Sequence, residues 1–173
     1  DTEVLRLLTD GSRVTGVEVR SSDGDGTERL EAGEVVVCAG AIHTPALLLK
    51  SGIGPAAELA RLDIDAVADL PGVGENLQEP PQIAVTAVLK SEARQPWEQR
   101  RHIFAGFRYS SGIEGCDEVD MYGVVVNRGA WHPLGQKLGG FLIWVNRAYS
   151  TGKVSLVSSY PSAEPRVEFA FLS

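Results

Sequence analysis

The chain has 173 residues with 43% hydrophobic and 23% charged residues, and its net charge is -7 at pH 7. This composition is typical of a globular protein of one or two domains. The acidic balance argues against a nucleic-acid partner, since phosphate binding needs clustered Lys and Arg. Two cysteines are too few for a zinc framework, and no apolar run approaches the roughly 18 residues of a membrane span. We expect no metal site, and without a visible signal peptide a cytoplasmic location is favoured.

The N-terminal part predicts a series of strands. Asp10-Gly11 supplies the positive-φ residues that a tight hairpin requires. The segment from Val14 to Val19 alternates imperfectly between apolar and polar residues, as a half-buried strand does. The unbroken run Val35-Val36-Val37-Cys38 is typical of a strand that is covered on both faces in a parallel sheet.

A corner from strand to helix is predicted next. Thr44 is a good N-cap, Pro45 fits the first helical position, and Ala46 to Lys50 form a short helix that Gly52 ends. The small residues Ala39 to Ala41 precede this helix. In open α/β sheets such corners bind ligands, and backbone without Cβ atoms lets a phosphate-bearing cofactor approach. The alternative is that small residues serve packing alone.

The residue pattern of the chain changes after Pro80. The stretches "PQIAVTAVLK", "VDMYGVVVN" and "GGFLIWVNRAYS" are apolar and strand-like, and no βαβ rhythm persists, so an antiparallel sheet is predicted. A boundary near Glu79 to Pro81 divides the chain into domains of residues 1–79 and 80–173. The predicted fold class is α/β, or α+β for the chain as a whole.

The stretch "GAIHTPALLLKSGIG" resembles the second signature of the glucose-methanol-choline (GMC) flavin oxidoreductases. Ten positions fit: Gly40, Ala41, Thr44, Pro45, Leu47, Leu48, Ser51, Gly52, Ile53 and Gly54. "LPGVGENLQEP" and "STGKVSLVSSYPSAEPRVEFAFLS" are similar to two further family segments. The chain has Glu79-Pro80 where the family commonly has Asp-His, so contacts of that pair are not carried over.

The resemblance implies an FAD-dependent enzyme that oxidises an alcohol by hydride transfer to the flavin. Residues 1–79 would end an FAD-binding Rossmann-like domain, and residues 80–173 would form part of an antiparallel-sheet substrate domain. The family's Gly-rich loop and catalytic His segment are missing, and the chain opens at Asp1 without Met. We therefore expect a middle fragment whose partner is the remainder of its own longer chain, with no catalytic residue and no activity alone.

The resemblance also implies cofactor-binding residues. The backbone at Ala39 and Gly40 would lie beside the adenosine half of FAD, the main chain of Val4 would meet the adenine, and Asn76 would help cover the flavin. Their alternatives are packing, a plain strand residue and an ordinary turn residue. His43 is expected just ahead of the N-cap, bonded locally, rather than acting as a base.

The resemblance also implies substrate contacts from the second half of the chain, where one face of the sheet would cover the flavin ring. Trp144 and its alternating neighbours Leu142 and Asn146 would share one face of a strand and line the alcohol pocket, although Trp on strands is usually a core or interface residue. The aromatic content fits a neutral primary alcohol, such as an aryl or furanic one. The alternative is a non-catalytic ligand-binding or interaction module built on the same half-fold.

Overall fold

The strands and helices fall into two compact units. The computed structural model describes residues 2–21, 26–146 and 148–171. Within this part, Asp1–Gln78 and Ser150–Ser173 contribute the first unit, and Glu79–Tyr149 forms the second. The segment after residue 149 thus returns to the first unit, whereas the sequence placed it with the residues from 80 onward. Helix and strand are mixed and antiparallel sheets are present, which confirms the predicted fold class.

The first unit opens with a three-stranded antiparallel sheet in the order β1-β2-β3. Its strands are β1 (Thr2–Asp10), β2 (Arg13–Ser21) and β3 (Thr27–Glu31). Gly11 has a φ of 57° between β1 and β2, which confirms the predicted hairpin. Leu5 and Leu7 alternate with exposed residues along β1 and are buried, so one face of this strand belongs to the core.

In the described part of the first unit, two helices and two small sheets follow the three-stranded sheet. The helices are α1 (Gly40–Lys50) and α2 (Ala56–Ala60). The parallel pair consists of β4 (Ile53–Gly54) and β5 (Ala68–Asp69), and the antiparallel pair of β10 (Lys153–Ser155) and β11 (Arg166–Glu168). Leu59 of α2 and Val154 of β10 are the most deeply buried large side chains among the described residues.

Helix α1 begins at Gly40, so the prediction that Thr44 caps it was wrong. Ala39 takes the N-cap position, and Pro45 lies inside the helix. Because Pro45 has no N–H, it cannot bond to the carbonyl of Ala41 as an ordinary residue four positions later would. The packing of α1 on the core outweighs this single loss. The predicted end is confirmed, because Gly52 has a φ of 78° directly after the last turn.

Residues 35–38 do not form a strand, so the interpretation of this run as a doubly covered strand was wrong. Val36 is 78% exposed and Cys38 is exposed, while Val35 and Val37 are only half-buried. A strand needs a neighbouring backbone to pair with. Among the described residues no strand pairs with this segment, so its β-branched composition is not sufficient for a ladder.

The second unit is a four-stranded antiparallel sheet in the order β6-β9-β8-β7, as predicted for this region. Its strands are β6 (Gln82–Val88), β7 (Ile103–Tyr109), β8 (Met121–Val126) and β9 (Leu138–Val145). Short 3-10 turns occupy Ser91–Ala93 and Gly135–Lys137.

A buried carboxylate closes the connection between β7 and β8. Asp120 accepts hydrogen bonds from the backbone N–H of Ser111 at 2.8 Å and from its hydroxyl at 2.7 Å. These two bonds hold the pKa of Asp120 below its usual value, the backbone bond having the larger effect. The carboxylate is therefore ionised at neutral pH and fixes the hairpin end.

We expect Gly152→Ala to destabilise the protein. A Cβ at Gly152 would lie 1.9 Å from the carbonyl oxygen of Glu168, so β11 must shift. Such overpacking costs about 1–3 kcal/mol of the free energy of unfolding. Urea denaturation measures the loss. Gly72→Ala is the control, because a Cβ at Gly72 meets nothing within 4 Å. Equal stability of the two variants would contradict the packing of β11 against Gly152.

Candidate functional site

A cavity of about 520 Å³ lies beside helix α1 in the first unit. We name it the α1 cavity. Its walls come from β1, from the extended segment before α1, from one face of α1, and from a loop near residue 163. Most of the lining side chains are apolar: Val4, Leu7, Val17, Val35, Val36, Val37, Cys38, Ala39, Ala46 and Leu47. Its volume falls in the range of roughly 300–1,000 Å³ of small-ligand pockets.

The position of α1 is fixed by its buried face and by one hydroxyl. Ala46 and Leu49 are buried. At the C-terminal end of α1, the Ser51 hydroxyl donates to the carbonyl of Leu47 at 2.6 Å and accepts from the backbone N–H of Leu7 in β1 at 2.8 Å. The hydroxyl thus joins the helix end to the strand, and the joined elements form two walls of the cavity.

The small-residue bend lies at the start of α1 and at the edge of the cavity. Ala39 lines the cavity, and its N–H donates to the Thr44 hydroxyl at 3.1 Å. Gly40 has a φ of 81°, and a Cβ there would meet nothing within 4 Å. The first turn contains no acidic side chain. The helix N-terminus therefore presents its N–H groups and their partial positive charge beside open space.

Val4 contributes main chain as well as side chain to this region. It is 43% exposed and lines the α1 cavity. Strand β1 is at the edge of its sheet, and the register shifts between Val4 and Arg6 as in a β-bulge. Edge strands and bulges leave backbone N–H and C=O groups outside the ladder. The main chain near Val4 is thus suited to bond with an incoming ligand.

Two basic side chains bond to the loop near residue 163, and no sequence pattern singled them out. Lys50 donates to the carbonyl of Pro161 at 2.6 Å, across 111 residues of chain. Arg20 donates to the hydroxyl of Ser162, across 142 residues. Both are ordinary surface residues in the sequence. Their role follows only from the return of residues 150–173 to the first unit.

The two remaining candidate residues of the first unit are His43 and Asn76. His43 lies within α1 rather than ahead of its N-cap, so that expectation was wrong; it is exposed and lines the α1 cavity. Asn76 is exposed, does not line this cavity, and has a φ of 59° in a turn. The structure therefore brings Val4, Ala39 and His43 together, with Gly40 adjacent to Ala39.

The three predicted substrate residues belong to the second unit. Leu142 and Trp144 alternate on β9 and are half-buried, while Asn146 follows the end of the strand and is exposed. The Trp144 ring stacks on that of Tyr122, with centroids 5.5 Å apart and planes at 29°. The sequence did not single out Tyr122, although its position opposite Trp144 in the ladder determines this contact.

A larger groove of about 1210 Å³ also occurs in the first unit. Charged side chains of both signs line it, among them Arg6 and Glu18, which are paired at 2.6 Å. Its lining mixes these charged side chains with apolar ones such as Leu8 and Ile64, whereas the lining of the α1 cavity is mostly apolar. Within the described residues no cluster of His, Cys, Asp or Glu could hold a metal ion, and no helix there is long and apolar enough to cross a membrane.

Comparisons with known proteins identify the family of this chain. The family model described as GMC oxidoreductase matches residues 1–82. The 5-(hydroxymethyl)furfural oxidase of Methylovorus sp. (strain MP688) is 40% identical over 177 residues, which cover 100% of this chain and 32% of that protein. The chain belongs to the GMC oxidoreductase family. The oxygen-dependent choline dehydrogenase of Serratia proteamaculans (strain 568) is 33% identical over 193 residues, covering 97% of the chain and 35% of that relative.

A solved structure shares the fold of this GMC chain. The pyridoxine 4-oxidase from Mesorbium loti superposes with a TM-score of 0.81 at 22% identity, covering 99% of this chain and 34% of that one. The GMC chain spans about a third of the length of the curated relatives it matches.

We expect Ser51→Ala to loosen α1 from β1. The substitution removes the acceptor of the buried Leu7 N–H, and an unsatisfied buried donor costs about 1–3 kcal/mol. Urea denaturation of the GMC protein measures the loss. Ser91→Ala is the control, because the Ser91 hydroxyl is exposed and donates to the neighbouring Glu92 carboxylate at 3.2 Å. A Ser51→Ala protein as stable as this control would contradict the role of the hydroxyl.

Proposed function

We propose that this chain is part of an FAD-dependent oxidoreductase that acts on a primary alcohol, and that its α1 cavity holds the adenosine half of FAD. The observation that carries the proposal is the bend at Ala39 and Gly40. It has no large side chain, and it lies at the edge of an apolar cavity. Family membership supports it, as do the alcohol-oxidising activities for which the relatives are named.

The residues of the α1 cavity fit an adenosine. The volume of about 520 Å³ and the apolar lining suit a flat base, and Val4 offers main-chain groups outside the ladder for its polar edge. Gly40 leaves space where a Cβ would stand, so the sugar can approach the backbone. Ala39 and Gly40 would contact the adenosine, and Asn76 is assigned to the cover of the flavin.

Bound FAD supplies the hydride acceptor for the carbinol carbon. The residues of this chain contribute binding and orientation. None of them is assigned as the base that takes the hydroxyl proton. The assignment of residues 1–79 to the cofactor and of residues 80–173 to the substrate is part of the same proposal, although Ser162 to Glu164 line the α1 cavity. A cytoplasmic location also stays a prediction.

We assign the substrate wall to Leu142, Trp144 and Asn146 in the second unit. The Trp144 ring is held by Tyr122, which makes it a rigid flat surface. Such a surface favours a planar alcohol, and the relative from Methylovorus is named for a furanic one. The proposed substrate is therefore a primary alcohol on an aryl or furan ring.

We expect Gly40→Ala to weaken FAD binding at least about tenfold, since the new Cβ occupies the space beside the adenosine. The measurement is a fluorescence titration of the deflavinated full product of the gene with FAD. Gly11→Ala is the matched control, because Gly11 also has a positive φ with open space around it but lies at the hairpin between β1 and β2. Both variants carry the same backbone strain of about 1–2 kcal/mol.

The comparison of the two variants distinguishes a loss of FAD contact from an effect of backbone strain. Equal FAD affinity in the two variants would contradict a contact between the cofactor and this bend. A stable colourless protein that binds no FAD and oxidises no alcohol would favour the binding module instead.

We expect Trp144→Leu to reduce kcat/KM for aryl and furanic primary alcohols about tenfold, which corresponds to ~1.4 kcal/mol of lost contact. The control is Phe141→Leu, which changes an aromatic residue on the opposite face of β9. Steady-state kinetics with a ring-bearing and a short aliphatic alcohol checks both variants. If Phe141→Leu lowers kcat/KM as much as Trp144→Leu does, the assignment of this face to the substrate is wrong.

A further inference from the structure

The turn at residues 74–77 is held at both ends by strand β10 and the residue before it. The backbone N–H of Val154 donates to the carbonyl of Gly74 at 2.7 Å. Leu77 and Gly152 exchange two backbone hydrogen bonds, at 3.0 and 2.6 Å. A Cβ at Gly74 would lie 2.2 Å from the carbonyl oxygen of Val154, so the two segments are in close contact. Only the two residues between the anchors, Glu75 and Asn76, are left to project.

Lys153 adds a side-chain link to this turn. Its ammonium lies 2.9 Å from a carboxylate oxygen of Glu75 and 2.5 Å from one of Glu58 in α2. The two partners raise the pKa of Lys153 above its usual value, the hydrogen bond to Glu58 having the larger effect and that to Glu75 the next. Lys153 is therefore charged at neutral pH and still charged where a free lysine begins to lose its proton.

The residue after Glu75 has a conformation that needs support. Asn76 has a φ of 59°, in the left-handed region, which asparagine adopts more readily than other residues with a Cβ but still at a cost in free energy. Such a conformation persists where the surroundings determine it more than once. Here the backbone anchors fix both ends of the turn, and the Lys153–Glu75 pair fixes the residue directly before Asn76.

We propose that Lys153 is a positioning residue, which acts through Glu75 to hold Asn76 in place for the cofactor. The proposal rests on the proposed function, in which Asn76 helps cover the flavin. Glu58 has a different part, because it joins the same ammonium to helix α2 and makes no contact with the turn through this link. The ion pair of Lys153 with Glu75 therefore serves positioning of the turn, and its ion pair with Glu58 serves stability.

Three variants of the full gene product test the proposal: Lys153→Met, Glu75→Gln and Glu58→Gln. In Lys153→Met and Glu75→Gln, we expect the dissociation constant of FAD to rise about threefold to fivefold, the effect of losing one partly exposed ion pair. The visible circular dichroism of the bound flavin should change in the same two variants. Glu58→Gln should keep the wild-type affinity and spectrum, and Lys153→Arg should restore both.

A second measurement, on the protein without FAD, reports the local stability of the turn directly. Hydrogen exchange at the amides of residues 75–77 should be faster in Lys153→Met and in Glu75→Gln than in Glu58→Gln, because only the first two release the turn. The double variant of Lys153 and Glu75 should exchange no faster than either single one, since the two residues form one link.

The outcomes distinguish this inference from the proposed function. If the wild-type protein binds no FAD, the proposed function fails. If the wild type and Gly40→Ala behave as expected but Lys153→Met keeps the wild-type affinity and spectrum, only the role of Lys153 is overturned. It is likewise overturned if Glu58→Gln matches Glu75→Gln in every measurement, because the lysine then serves stability alone.

Discussion

The docking of helix α1 on edge strand β1 is the contact on which the first unit depends. Ser51 joins the helix end to the Leu7 N–H, and Leu49 of the same helix is buried. Because this junction holds one end of the helix, it also determines where the first turn of α1 lies, with Ala39 lining the cavity and Gly40 next to it. The proposed cofactor site is thus a product of core packing rather than of a separate loop.

Much of this arrangement follows from local patterns in the sequence, and the exceptions have physical causes. The hairpin at Gly11 and the end of α1 at Gly52 were predictable, because each needs a positive φ that glycine adopts easily. The strands β6, β8 and β9 were predictable from their apolar composition. The start of α1 was not, because the capping preferences of Thr44 and Pro45 are worth less than the packing of the helix on its neighbours.

Other features depend on distant parts of the chain. The run from Val35 to Cys38 has strand composition, but a ladder needs a partner that composition does not reveal. The ties from Lys50 to Pro161 and from Arg20 to Ser162 cross more than a hundred residues, as their separations of 111 and 142 show. The proposed cofactor residues could be named from the family resemblance, whereas the residues that hold the surrounding elements in place required the three-dimensional structure.

The paired backbone of Leu77 and Gly152 brings together the two points where the chain leaves the first unit and comes back to it. A segment inserted between neighbouring points of a folded unit can change its length and sequence with little effect on the host. In evolutionary terms, Glu79–Tyr149 is free to diverge as an insert. Under the proposed function, selection for a new alcohol would act there while the host unit keeps the proposed cofactor contacts.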